Sequence, residues 1–413
     1  MYLLFLLSEA IKRETYQTVV FFSTTMTWIT AVLVTLWIIW FLFQRFRRNQ
    51  VKRRIPKQSK DSNLKKIVRL KNELSAVWLR KGSSQKIHGI GIGKLPNGEF
   101  CLQVFINDSN SQMFDNPASN SIPDNYKNIP LVLVAMPQAS FLSAETVSTG
   151  FTAEEYRKLI REKQDVIMGG ISGANTNLNG ECGTIGYFCR KKSLLPRKEI
   201  YLLSNSHVFA DLRKVVVDEH DLIMQPSPGE SSNSRPIGEL TNFAHPKLEN
   251  DTNEANFVDA AIAKLWKQEV HKPLLPMIGT VKGFVQKADV EVGESSRKFG
   301  RTTGFTQGEV FSIYLDIWVK YDRTGQTSFF KNQFLIEPDR NNAEKFVEKG
   351  DSGSLVVDGE NNASGLIFAG ANGKVEIKQT PDENEAKILK TVNNYGVANP
   401  ISEVMKKLNI ELL

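Results

Sequence analysis

Lys349-Gly350-Asp351-Ser352-Gly353-Ser354, running on into Leu355-Val356-Val357, is the stretch on which the reading of the chain turns. A serine hydroxyl attacks poorly until a base takes its proton. The glycines on either side of Ser352 permit a tight turn that brings backbone N–H groups close to a substrate carbonyl. Such donors stabilise the oxyanion that forms when serine attacks. Leu355-Val356-Val357 reads as a buried strand that holds the turn rigid. A Gly-rich turn before a strand also occurs without any chemistry, so the rest of the chain has to supply partners for the serine.

A serine nucleophile needs a base, usually histidine, and a carboxylate to orient it. The chain has five histidines: His88, His207, His220, His245 and His271. His207 stands out in YLLSNSHVFA (201–210), just after an apolar strand whose end can hold an imidazole still. His220, in VDEHD, and His245 and His271, beside prolines or lysines, read as solvated; His88, next to Gly89 in a strand-like run, reads as structural. Asp259 is an acid inside the apolar run NFVDAAIAKL (256–265). A carboxylate buried there needs a partner such as an imidazole N–H.

With those residues in hand a family resemblance emerges. CGTIGYFC and YLLSNSHVFA within 182–210, VDAAIA at 258–263, KFGRTTGFTQGEV at 298–310, and GDSGSLVV with GLIFAG resemble the bacterial trypsin-like serine peptidases of the chymotrypsin fold. His207, Asp259 and Ser352 follow one another in that family's order. The resemblance covers about 166–413 and implies a mainly β fold, a chymotrypsin-like double β-barrel. It implies His207 as general base and acid, Asp259 as its orienting carboxylate, Ser352 as nucleophile, and the N–H groups of Gly350 and Ser352 as the oxyanion hole. The reaction implied is peptide hydrolysis through an acyl-enzyme, with no metal and no cofactor. Phe346 stands where a trypsin-like specificity pocket would carry aspartate, so a preference for Lys or Arg is not implied. Phe368-Ala369-Gly370 resembles the pocket-wall strand, with Gly370 leaving the entrance open. No cleavage site is seen that would aim a new N-terminus at Asp351.

Before that region lie other features. Residues 18–43 contain no charged residue and are long enough to cross a bilayer as a helix. Residues 45–66 are strongly basic, which by the positive-inside rule puts the following domain in the cytoplasm and adds attraction to anionic lipid. No aromatics are interleaved with those charges, so nucleic acid is not expected. The expected order is therefore an N-terminal tail (1–17), a transmembrane helix (18–43), a basic linker (44–66), a small α+β domain (67–165) and the peptidase-like domain (166–413). The α+β domain is expected to hold a helix over 67–81, strands over 87–93, 100–106 and 130–136, a polar loop over 107–129 and a capped helix over 152–164. The chain is expected to close on an amphipathic helix begun by Asn399-Pro400.

The totals set bounds. The net charge of +7 is modest and concentrated in the basic stretch, and three cysteines, Cys101, Cys182 and Cys189, are too few for a disulfide scaffold. There is no zinc-ligand spacing, no phosphate-binding GxxxxGK[ST] and no dinucleotide-type GxGxxG. The reading that results is a single-pass, membrane-anchored serine endopeptidase with its peptidase domain in the cytoplasm, acting on a protein or peptide substrate by limited processing. The alternative is a catalytically silent trypsin-like adaptor that uses the same barrels as a binding module.

Overall fold

Short runs of β-branched and aromatic residues bounded by Gly, Pro and Asn favour strands. Here they pair into two large sheets, of seven and fourteen strands among the described residues. The computed structural model describes residues 8–9, 11–15, 25–40, 52–53, 62–80, 87–106, 123, 125–141, 160–178, 180–193, 198–214, 216–217, 221–249, 254–321, 325–339, 345–371, 388–392 and 394–413. Residues 1–50 and 51–413 are two compact units.

In the first unit a helix runs over 25–40, with Trp28, Val32, Leu36 and Trp40 exposed. That length is about 24 Å at the α-helical rise. Among the described residues no helix is long and apolar enough to cross a membrane. The remainder of the uncharged 18–43 run, and most of the basic linker, lie outside the described residues.

In the second unit α1 spans Ser62–Trp78, starting earlier than expected and taking in the end of the linker. Its buried Ile67, Leu70 and Leu74 pack on the sheet strands below. Strands β1 (Ile87–Lys94) and β2 (Phe100–Ile106) are antiparallel, and β3 (Ile129–Ala135) runs parallel to β2 with Leu102 opposite Leu131. A two-residue strand, β4 (Ser140–Phe141), follows. Most of the expected helix over 152–164, and of the loop over 107–129, falls outside the described residues.

The seven-stranded sheet contains β5 (Ala174–Asn175), β6 (Tyr187–Lys191), β7 (Tyr201–Ser204), β8 (Leu222–Gln225), β9 (Arg235–Phe243) and β10 (Ala261–Leu265). One helical turn, α2 (Ser206–Phe209), follows β7. The fourteen-stranded sheet contains β11 (Ser295–Gly300), β12 (Gly304–Lys320), β13 (Thr327–Pro338), β14 (Leu355–Asp358), β15 (Asn362–Ala371) and β16 (Tyr395–Pro400). The chain ends on α3 (Ile401–Leu408), which buries Ile401, Val404, Met405 and Leu408 as its periodicity requires, and on β17 (Ile410–Leu412). β17 closes the seven-stranded sheet through β6, with Leu412 opposite Cys189.

The expected boundary between an α+β domain and the region after 165 is not a break in the structure. β12 is 17 residues long and outruns β11. Its far half pairs with β1, Ile313 opposite Ile92, so β1, β2 and β3 extend the same sheet. An unpaired strand edge carries unsatisfied N–H and C=O groups, and these upstream strands cover the one that β12 offers. Beneath this junction Lys71 of α1 reaches Asp316 of β12 at 2.7 Å, both side chains 0% exposed.

Candidate active site

Register brings two of the three expected residues together. Ser204, the last residue of β7, pairs with Ala261, the first of β10. The chain just beyond β7 and the chain just before β10 therefore emerge side by side, carrying His207 and Asp259. Both are buried, with relative exposures of 1% and 0%. Asp259 Oδ1 accepts the Ser206 N–H (2.6 Å) and the His207 N–H (3.3 Å). Asp259 Oδ2 pairs with His207 Nδ1. An ionised carboxylate only accepts, so this pairing assigns the proton to Nδ1 and leaves the lone pair on Nε2. Asn399, at the end of β16, accepts the Asp259 N–H through Oδ1 at 3.0 Å and donates through Nδ2 to the Asp259 carbonyl at 3.3 Å.

The third residue comes from the other sheet. Between Gly350 and Ser354 nearly every peptide plane is pinned. Asp351 N–H donates to Glu348 O (3.0 Å), Gly353 N–H to Ile367 O (2.9 Å) and Ser354 N–H to Asp351 O (3.0 Å). Thr184 clamps the turn from the first sheet's side: its Oγ1–H donates to Gly350 O and its N–H to Ser352 O, both at 2.9 Å. The two N–H groups of this turn with no acceptor among the described residues are those of Gly350 and Ser352, the pair assigned to an oxyanion. Gly350 and Gly353 have φ of +98° and +93°, in the left-handed region. A Cβ on Gly353 would strike the Thr184 carbonyl, and one on Gly350 the Arg301 guanidinium. Both glycines are thus required by backbone shape.

Asp351 anchors the turn from behind. Its Oδ1 accepts the Thr302 and Thr303 N–H groups (2.9 and 3.1 Å), and its Oδ2 accepts the Glu348 N–H (2.9 Å) and Thr303 Oγ1–H (2.7 Å). Lys298 Nζ stands 3.4 Å from Oδ2, both side chains 0% exposed. Burial alone would raise the Asp351 carboxyl, but Lys298 and these hydrogen bonds outweigh it and hold its pKa below the ordinary value. An internal lysine, Lys298, thus supplies the counter-charge to Asp351. Arg301, pushed down to about 10 by burial, pairs with buried Glu230 on the flank of Gly350.

The proton-transfer link between the two halves is not made in this state. Ser352 Oγ–H donates to Phe368 O at 3.2 Å, and buried His207 Nε2 has no hydrogen-bond partner among the described residues. Phe141 of β4 packs beside the imidazole, its ring centroid 4.8 Å from that of His207 and 6.2 Å from that of Phe368.

The expected substrate pocket is filled. Phe346 is 0% exposed and belongs to the core with Val356 and Ile367, while the face of Gly370 lies against Val347 and the Tyr395 carbonyl. Phe368 and Ala369 are likewise 0% exposed. A cavity of about 490 Å³ does open elsewhere, lined in part by His245, Phe257, Val258 and Lys406, and touches none of the three residues. His245 is not solvated as expected: it is half-buried and its Nε2 is 2.8 Å from Leu212 O. His220 lies outside the described residues. His88 is buried, and neither ring nitrogen has a hydrogen-bond partner among the described residues. All three cysteines are buried and free.

Sequence reasoning missed Thr184, Lys298, Asn399 and Phe141. Thr184 and Lys298 lie inside the motifs CGTIGYFC and KFGRTTGFTQGEV, so a signal was present. Asn399 was visible only as a helix start, and Phe141 carries no local signal.

No protein-family model matches the sequence, and no curated protein matches it. Solved structures similar to it include three peptidases. Thermobifida fusca protease A is 17% identical, with 60% of this chain and 98% of that chain covered and a TM-score of 0.37. Nocardiopsis protease is 15% identical over 60% and 98%, with a TM-score of 0.36. A glutamic acid specific serine protease, described as using a histidine triad in substrate binding, is 15% identical over 60% and 100%, with a TM-score of 0.38. At such scores the likeness adds nothing to the geometry above.

Proposed function

We propose that this chain is a serine endopeptidase that cleaves peptide bonds through an acyl-enzyme. One observation carries the reading: a buried carboxylate fixes His207 with its Nε2 lone pair unused, and the turn at Ser352 holds two N–H donors, Gly350 and Ser352, in reserve. In the reaction Ser352 Oγ attacks the scissile carbonyl carbon while its proton passes to His207 Nε2. Asp259 stabilises the imidazolium. The carbonyl oxygen becomes an oxyanion that accepts the Gly350 and Ser352 N–H groups. Collapse of the intermediate breaks the C–N bond, and the amine leaves with the proton from Nε2. Water then attacks the ester, gives its proton to the same nitrogen, and Ser352 Oγ recovers it.

The uncharged run 18–43 and the basic residues of 45–66 support a single-pass membrane anchor with the peptidase unit in the cytoplasm, which suits limited processing of a protein partner. With Phe346 in place of an acid, no strong preference for Lys or Arg is expected. The second reading, a silent adaptor, draws on the Ser352 hydrogen bond to Phe368 O in place of His207. A fluorophosphonate that reacts with activated serines separates the two. Covalent labelling of the wild type and none of Ser352→Ala supports the peptidase; a folded chain that no reagent labels, in the wild type and in Phe141→Ala alike, supports the adaptor.

A further inference from the structure

We propose that β4 occupies the chain's own substrate cleft and holds the site latent, so that Ser140-Phe141 stands in for an extended peptide. The inference rests on the peptidase reading above. A peptide presenting its carbonyl to Ser352 must lie along whatever strand edge passes the nucleophile. That strand is β15: Ser352 Oγ–H bonds to Phe368 O and Gly353 N–H to Ile367 O. On one side β15 is paired with β16, Ala369 opposite Val397 and Gly370 opposite Gly396. On the other side, at the same two residues, the partner is β4, antiparallel, with Phe141 opposite Ala369 and Ser140 opposite Gly370. An added antiparallel strand is how an extended peptide docks on a sheet edge.

The side chain completes the argument. From that position Phe141 packs on His207, and its ring also meets Tyr321, Phe330 and Phe368 edge-on. It is 1% exposed, and Ser352 and His207 are 0% and 1% exposed. The segment is moored at its start as well: the Tyr395 hydroxyl donates to Pro137 O at 2.6 Å and Lys320 N–H to Ala139 O at 2.9 Å. Two facts left unexplained by the catalytic reading follow. His207 Nε2 is buried without a hydrogen-bond partner among the described residues, and Ser352 bonds to Phe368 O, because the space where the reacting groups would meet substrate is already covered by the chain itself. The same packing implies what a true substrate offers: an extended strand with an apolar side chain seated on His207 and a small residue before it.

The test is the rate of fluorophosphonate labelling of the full chain, with folding of each variant followed by circular dichroism. Phe141→Ala and Ser140→Pro should label roughly 10- to 100-fold faster than wild type, the factor that burial of one phenyl ring is worth. Added peptide of sequence Pro-Gln-Ala-Ser-Phe should slow the opened variants back toward the wild-type rate. Because Phe141 is a core residue, Phe141→Leu removes its ring contacts with a smaller loss of volume should the other two fail to fold; it too should exceed the wild-type rate, by a smaller factor. Wild type and variants labelling equally fast would overturn the latency and leave the peptidase standing. Folded variants that never label, with Ser140→Pro included, would overturn the peptidase reading and the latency with it.

Discussion

The two sheets contribute to the site in different ways. The seven-stranded sheet delivers His207 and Asp259 through one hairpin-like register, Ser204 opposite Ala261, with both residues within a short reach of a strand end. The fourteen-stranded sheet delivers Ser352 on a turn that needs support from far along the chain: Thr184, Lys298 and Thr303. It then goes further and recruits β1 to β4 from upstream, the last of which lies over the histidine. The difference teaches that the His207–Asp259 pair is a local product of strand pairing, while the geometry and accessibility of Ser352 belong to the whole unit.

The largest effect should come from cutting either sheet's contribution to the chemistry. In the Phe141→Ala background, Ser352→Ala and His207→Ala are each expected to lower turnover by on the order of 10⁶. The double variant should cost no more than either single one, because the two residues act as a unit. Turnover measured on a quenched peptide checks this. Losses that simply multiply would mean that each sheet contributes independently, and the comparison between them would fail.

Next is the anchor of the serine turn. Lys298→Met leaves Asp351 charged and buried without its cation, which is expected to cost about 3–5 kcal/mol of stability. Chemical denaturation at neutral pH reads it. Asp351 is held ionised below its ordinary pKa, so its contribution is present above that range and is lost as pH falls through the lowered value. Unchanged stability in Lys298→Met would show that the threonine hydrogen bonds alone suffice.

A smaller effect belongs to the recruited strands. His88 on β1 is buried, and burial pushes its pKa down to about 4 from an ordinary 6.5. Because the folded value is the lower one, the neutral ring favours folding fully above pH 6.5, and that advantage drains away down to about pH 4. The expected loss is about 3 kcal/mol at the acid end. His88→Leu should remove that slope. Stability profiles of the two proteins that stay parallel from pH 7.5 to 4 would show that the folded chain protonates His88 freely.

These regions also differ in how far the sequence discloses them. His207, Asp259 and Ser352 were legible because each breaks its local pattern: an imidazole at a strand end, an acid in an apolar run, a serine between two glycines. The strands β1, β2 and β3 were legible as the short apolar runs over 87–93, 100–106 and 130–136. Their merger with the serine-bearing sheet was not, since pairing between β12 and β1 leaves no trace in the periodicity of either. The pocket expected at Phe346 was misplaced for a related reason. Residue type marks Phe346 as a departure from an acid, but only packing shows that its ring fills the core. β4 is two residues long, too short for any period to register, and its role is set wholly by what lies beside it.

The smallest expected effect concerns the one side chain that hydrogen-bonds across from the serine sheet to Asp259. Asn399 is 0% exposed and grips Asp259 by its backbone only, through both its N–H and its carbonyl, while reaching Leu366 O at 3.3 Å. The Asp259 carboxylate is held separately by Ser206, by the His207 N–H and by the imidazole. Asn399→Ala therefore leaves one buried N–H without an acceptor, at a cost of about 1–3 kcal/mol, and does not touch the carboxylate. We expect a lower unfolding midpoint with turnover of the opened enzyme changed less than tenfold, a shift below about 1.4 kcal/mol in the barrier. Asn399→Asp keeps the acceptor for the Asp259 N–H but surrenders both donated bonds, so it should fall between wild type and alanine only if the acceptor matters most. A folded Asn399→Ala that loses turnover as severely as His207→Ala would mean that the serine sheet positions the base as well as the nucleophile, and the division of labour between the sheets would have to be abandoned.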